Sequence, residues 1–346
     1  MISKFEIRVS AGHYPSHMHS RKGPQLREPH ASSRPLIPSR PMPENTARHS
    51  TALAGKALLA VVAVALAACN PGAKDARRLR ASCNEGDAAA CNELGNKVGQ
   101  GEYVLRDWPR AARLYRQACD GGVAQGCVRL GGMHRDSMEV SSDLTLAAGL
   151  FQQGCEGGAM QGCISLGEMY QDSVGVAPDL ARAAGLYRQA CEGDAMQGCT
   201  ELGVMHQQGE GVTQDLARAA VLYQQACEGE FMEGCSHLGG LYSTGAGVAQ
   251  DVVRAVDLYQ QACDSAYAEG CSNLGALYAT GAGVTQDIAR AAELYQQSCN
   301  QQYAEGCFRI GDLYANGTGV NRDLGRAARL FRRACRLGYE DACRRE

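Results

Sequence analysis

The stretch Cys191-Glu-Gly-Asp-Ala-Met-Gln-Gly-Cys199-Thr-Glu-Leu-Gly-Val-Met-His-Gln-Gln-Gly-Glu-Gly-Val-Thr-Gln-Asp215-Leu-Ala-Arg-Ala-Ala-Val-Leu-Tyr-Gln-Gln-Ala-Cys227 decides the fold. It holds two helical patterns. In the first, from about Ala195 to Gln207, the residues Cys199, Leu202 and His206 fall on one helix face. Gly-Glu-Gly-Val-Thr-Gln then reads as a turn, because glycine reaches the positive φ angles that a tight reversal needs. Asp215 opens the second helix, where its carboxylate can accept the free N–H groups of the first turn and oppose the helix dipole. Ala219, Leu222, Tyr223 and Ala226 form that helix's apolar face. The unit is an α-hairpin, A then B.

The same unit recurs. Of the 17 cysteines, sixteen fall into pairs spaced Cys-x7-Cys: Cys83/Cys91, Cys119/Cys127, Cys155/Cys163, Cys191/Cys199, Cys227/Cys235, Cys263/Cys271, Cys299/Cys307 and Cys335/Cys343. Their first members step by 36 residues without an insertion. A fixed period of this size means stacked supersecondary units, each buried only by its neighbours. Asp107, Asp143, Asp179, Asp215, Asp251, Asp287 and Asp323 occupy the capping slot in turn.

The cysteine spacing constrains the chain path. On one continuous helix, cysteines eight positions apart would lie ~12 Å apart. A disulfide needs Cα atoms within roughly 7 Å. The chain must therefore reverse between them, and Glu-Gly-Asp at 192–194, Glu-Gly-Gly at 156–158 and Asp-Gly-Gly at 120–122 supply the break. Each bridge ties the end of helix B to the start of the next helix A. Structural zinc prefers Cys-x2-4-Cys, so this spacing favours disulfides and an oxidising compartment.

Cys69 stands outside the pairs. Arg48 and Lys56 precede an apolar run, Ala57 to Ala68, too short to span a bilayer and shaped like a secretory signal. Leu66-Ala67-Ala68-Cys69 resembles a bacterial lipobox, which implies cleavage before Cys69 and diacylation of its sulfur. Residues 1–41 are rich in Pro, His, Arg and Ser and poor in apolar side chains; they read as disordered, or as preceding a true start at Met42. His13, His17, His19 and His30 lie there and suggest no metal site. The expected organisation is 1–41, a lipoprotein signal over 42–68, a lipidated linker over 69–74 and a solenoid over 75–346. A net charge of −3 gives no sign of a nucleic-acid partner. Beyond the signal lysine occurs only at Lys74 and Lys97, so no polybasic membrane patch is expected.

Leu238-Gly239-Gly240-Leu241-Tyr242 with Gly245-Ala246-Gly247-Val248, and the matching run from Leu274 to Val284, resemble the Sel1-like repeat, a relative of the tetratricopeptide repeat. The added cysteine pairs look like the cysteine-rich subgroup first recognised in Helicobacter. The resemblance covers residues 75–346 and implies an all-α fold: a right-handed α/α superhelical solenoid with a disulfide in each repeat. It weakens at the ends. Tyr103 replaces a turn glycine, Trp108-Pro109 opens a B helix, Asp136 to Glu139 lacks the Gly-x-Gly turn, and the last unit is basic at Arg332, Arg333, Arg336, Arg344 and Arg345.

The resemblance carries an alternative function, since some cysteine-rich relatives are described as penicillin-binding and weakly β-lactam-hydrolysing. The serine chemistry needs Ser-x-x-Lys, Ser-Asp-Asn and Lys-Thr-Gly, and none occurs. His134, His206 and His237 form no metal-binding pair, and His134 and His206 fill a core tyrosine slot. Ser165, Ser236 and Ser272 recur beside cysteines without a base at comparable spacing. No catalytic residue and no cofactor is expected. What remains is the A-helix surface. Counting from the A-helix cysteine, positions +3, +4 and +7 face the core, and +2, +5 and +9 face away. Position +2 reads Glu93, Arg129, Ser165, Glu201, His237, Asn273, Arg309; position +9 reads Gln100, Asp136, Asp172, Gln208, Thr244, Thr280, Asn316. Such varied polar groups on a regular frame predict a concave face that binds a protein or peptide, on a lipid-anchored, periplasm-facing chain.

Overall fold

The computed structural model describes residues 71–102, 105–138 and 142–345. Sixteen α-helices and no strands occur among them. They are α1 (Pro71–Asn84), α2 (Ala88–Gln100), α3 (Trp108–Asp120), α4 (Ala124–Arg135), α5 (Leu144–Glu156), α6 (Met160–Gln171), α7 (Leu180–Glu192), α8 (Met196–Gln208), α9 (Leu216–Glu228), α10 (Met232–Thr244), α11 (Val252–Asp264), α12 (Ala268–Thr280), α13 (Ile288–Asn300), α14 (Ala304–Asn316), α15 (Leu324–Arg336) and α16 (Glu340–Cys343). Even-numbered helices are the A helices and odd-numbered ones the B helices. Each helix packs on the one before and the one after, as a tandem solenoid requires. The A helices α10, α12 and α14 also touch one another in series, whereas B helices do so marginally at most. The A helices thus line the tighter, concave side. No described helix is long and apolar enough to cross a membrane. The expectations placed on residues 1–70, Cys69 included, lie outside the described residues.

All seven predicted caps are present. Asp215 Oδ1 accepts the Arg218 N–H at 2.9 Å, and Asp107, Asp143, Asp179, Asp251, Asp287 and Asp323 do the same for their helices.

Eight disulfides join a B helix to the following A helix: Cys83–Cys91, Cys119–Cys127, Cys155–Cys163, Cys191–Cys199, Cys227–Cys235, Cys263–Cys271, Cys299–Cys307 and Cys335–Cys343. Their Cα–Cα distances run from 4.4 to 4.8 Å. Each closes a loop of about nine residues, worth ~2.6 kcal/mol by the chain-entropy estimate. Burial separates these cysteines from the other candidate site residues. The A-helix partners Cys91, Cys127, Cys163, Cys199, Cys235, Cys271 and Cys307 are each 2% exposed or less. Each lies in the first turn of its A helix, pressed between the preceding B helix and the rest of the stack, so its sulfur belongs to the core. Of the A-helix partners only Cys343 is exposed.

The glycines of the reversal divide their labour in a way the sequence reading does not anticipate. In the fourth repeat the left-handed residue is Asp194 (φ 61°), not Gly193 (φ −90°). A Cβ at Gly193 would come within 2.5 Å of the Met160 sulfur, so a side chain there makes Met160 shift; Ser265 and Gln301 fill the same slot two and three repeats on. Glu230, Ala266 and Gln302 take the same left-handed slot in the next three repeats, and Gly122 and Gly158 in the two before.

Close packing of A on B rests on one glycine per repeat. A Cβ at Gly203 would meet the Tyr223 ring at 2.6 Å, and Gly167 stands likewise to Tyr187 at 2.7 Å. The aromatic of helix B fills the space that glycine leaves on helix A. The buried stripe of helix A is wider than +3, +4 and +7. Positions +1 and +6 are buried too, as Thr200 and Met205 show, while the +7 tyrosines are half-buried. The reason is stacking. Arg182 lies over Tyr170 at 4.7 Å and Arg254 over Tyr242 at 4.4 Å, so each ring packs on the core with one side and carries a guanidinium on the other.

Candidate functional site

The concave A-helix surface brings the +2 row together with residues from two other helical positions. Glu93 and Arg129 are exposed on α2 and α4. Glu201, His237, Asn273 and Arg309 are half-buried on α8, α10, α12 and α14. Ser165 corrects the expectation of an outward row, because it is only 5% exposed. It sits where helices pack, and a small hydroxyl is tolerated there, as it is one position earlier at the buried Ser236 and Ser272. Arg309 is committed to its own helix, with Nη2 2.7 Å from Glu305 Oε1.

The centre of the face is acidic. Glu233 Oε1 lies 3.8 Å from His237 Nε2, and the His237 ring stacks on Tyr223 with centroids 4.9 Å apart. Asn273 donates to Ser236 Oγ at 3.3 Å, and Ser236 donates to Glu269 Oε1 at 3.5 Å. Further along, Arg135 Nη1 donates to Glu168 Oε2 and Gln197 donates to Glu168 Oε1. Tyr187 and Tyr223 donate to Gln171 and Gln207 at 2.9 and 2.8 Å, which fixes the outer ends of the core aromatics under this surface.

Electrostatics follow from that crowding. Burial, reinforced by the Glu233 and Glu168 carboxylates, pushes Glu201 up to about 7. Burial raises Glu168 and Glu269 as well, against the opposing charges of Arg135 and His237 respectively. For His237 burial works against the charged form, but the Glu233 hydrogen bond and the carboxylates of Glu269, Glu233 and Glu201 outweigh it, so its pKa is raised. The surface is therefore a string of carboxylates held near one another, with His237 among them and Arg135 and Arg309 paired to Glu168 and Glu305 at its two ends. Among the described residues, no three His, Cys, Asp or Glu side chains converge in a metal-holding arrangement.

The +2 row contained Glu201 and His237 but not their partners. Glu168 sits at +5, and Glu233 and Glu269 sit two residues before their cysteines. That last slot reads Gln125, Gln161, Gln197, Glu233, Glu269, Glu305, a switch from amide to acid that marks the acidic half of the face.

Known structures with this architecture are repeat solenoids. c5321, a protective antigen of uropathogenic Escherichia coli strains with an SLR fold, superposes with a TM-score of 0.66 at 28% identity. That match covers 77% of this chain and 57% of c5321, so this chain spans little more than half the length of that protein. A Sel1 repeat protein from Oxalobacter formigenes matches at a TM-score of 0.62 and 22% identity over 78% of each chain. Helicobacter pylori cysteine rich protein B is 32% identical over 96% of its own length and 38% of this chain, at a TM-score of 0.33. No curated protein matched. The family model for the Sel1 repeat matches residues 88–123, 124–158, 161–194, 197–230, 233–267, 268–303 and 304–339. With seven matched repeats over most of its length, the chain belongs to the Sel1 repeat family.

Proposed function

We propose that the chain is a non-catalytic scaffold whose concave face takes a basic, extended segment of a partner protein. The carrying observation is the crowded acidic string of Glu168, Glu201, Glu233 and Glu269. Like charges are held close there, offset by His237 and, at the Glu168 end, by Arg135, and a cationic guest would relieve the remaining repulsion. Solenoids of stacked hairpins present extended concave surfaces suited to such a segment. The test is titration of the purified protein with an arginine- and lysine-rich peptide and with an acidic control. Binding should strengthen as pH rises through about 7, where Glu201 ionises. It should weaken in Glu201→Gln and Glu233→Gln. Equal affinity for both peptides, or indifference to these substitutions, would refute the reading. Charge swaps at Arg129 and Arg309 probe the rest of the row in the same assay.

Disulfides in every repeat indicate an oxidising, extracytoplasmic setting. Within it we assign residues 42–68 as a lipoprotein signal and 69–74 as a linker, with Cys69 carrying the lipid that anchors the chain at the cell envelope. A start at Met42 completes that organisation. Intact mass of the membrane-extracted protein decides it: a mature chain beginning at an acylated Cys69 supports the anchor, and an unmodified Cys69 removes it.

A further inference from the structure

The last B helix differs from every other. α15 carries Arg326, Arg329, Arg332, Arg333 and Arg336 and no acidic residue. At 100° per residue these five fall within an arc of about 120°, opposite the buried Ala327, Leu330, Phe331 and Ala334. Arg326, Arg329, Arg332 and Arg336 are exposed. None of the five lies within ion-pair distance of a carboxylate among the described residues, whereas basic residues near α1 share Asp75, which pairs with Arg78 and Lys97.

An end unit needs a polar face toward the repeat that is missing, but that need does not account for this stripe. Arg326 has an arginine at the same position in α13 (Arg290) and α11 (Arg254), and it lies over Tyr314 as Arg254 lies over Tyr242. The positions equivalent to the other four are Glu293, Gln296, Gln297 and Asn300 in α13 and Asp257, Gln260, Gln261 and Asp264 in α11. In those helices the outer residues serve one another, as Gln296 donates to Asn300 at 3.0 Å and Gln260 to Asp264 at 2.7 Å. Arg329, Arg332, Arg333 and Arg336 thus replace a neutral-to-acidic pattern on the convex side, where solvent was already met. Leu324, 58% exposed, is not part of this stripe: one repeat earlier the same slot is Ile288, on which Gly319 packs, and Leu324 borders a groove with Tyr314, Val320, Arg322, Asp323 and Arg326. A row of guanidinium groups along one convex helix face matches a plane of phosphate headgroups.

We infer that the convex face of α15 docks on an anionic phospholipid surface. Every charge in the stripe is an arginine, so the scarcity of lysine in the sequence does not reveal it. The inference stands apart from the concave-face reading and from the lipid anchor. It is tested with the full chain carrying Cys69→Ser, so that no acyl chain contributes. Sedimentation is measured with phosphatidylcholine vesicles with and without phosphatidylglycerol. Binding is expected only with phosphatidylglycerol and should fall steeply with salt. The variant R329E/R332Q/R336N installs the residues of α13 at the same positions, so folding is retained, as circular dichroism checks. At about five-fold per arginine near a charged surface, it should lose on the order of a hundred-fold in affinity. Undiminished binding by the folded variant, equal binding to neutral vesicles, or binding to soluble polyphosphate without binding to vesicles would each overturn the inference.

Discussion

Replacing Glu201 by glutamine should stabilise the protein, and only above the acid range. Glu201 is half-buried on the concave face, and burial with the Glu233 and Glu168 charges holds its pKa at about 7 instead of 4.5. A raised carboxyl pKa means that between those values the folded chain keeps a proton that the unfolded chain has released. Stability is therefore lost as pH rises through that window. The gap corresponds to at most about 3 kcal/mol once Glu201 is ionised. Glutamine copies the protonated form and cannot ionise, so the variant escapes that loss. Part of the gain is returned, because His237 loses one of its carboxylate neighbours. The net expectation is about 1–3 kcal/mol at about pH 8 and close to none at about pH 4. Urea unfolding with the disulfides intact, followed by circular dichroism at both pH values, measures it. An equal effect at both, or destabilisation at the higher pH, would show that the carboxylates are not crowded as described.

Three further outcomes follow from the packing. Gly203→Val should cost about 1–3 kcal/mol, because its first side-chain atom already collides with the Tyr223 ring at 2.6 Å; a drop in Tm reads it. Asp215→Ala removes the acceptor for the Arg218 N–H and should cost about 1 kcal/mol in the same measurement. Ala266→Gly should raise stability by up to about 1 kcal/mol, since Ala266 is held at φ 62°, where a Cβ is strained; an unchanged or lowered Tm would contradict this.

Much of the frame was legible in the chain itself. The 36-residue step, the capping aspartates and the cysteine couples are local signals, and the structure realises each where it was expected. Burial was less legible, because it depends on what the next repeat brings. Ser165 reads as an outward polar residue until the neighbouring hairpin covers it. Met205 reads as off the core face until helix B is seen to reach around it. Gly193 and Asp194 look interchangeable until the Met160 sulfur is placed against one of them. The acidic face needed three separate helix positions to be superposed, and one position alone shows only Glu201 and His237. The arginine stripe was visible as composition but not as a surface.

Because every crosslink spans a sequence separation of only eight residues, the covalent wiring never reaches past the hairpin junction it secures. A gene that gains or drops one 36-residue module gains or drops a complete cysteine pair and orphans none of the others. Each junction can also oxidise as soon as it leaves the export channel, without waiting for distant sequence. The rod can therefore change length over evolution without relearning how to pair its sulfurs.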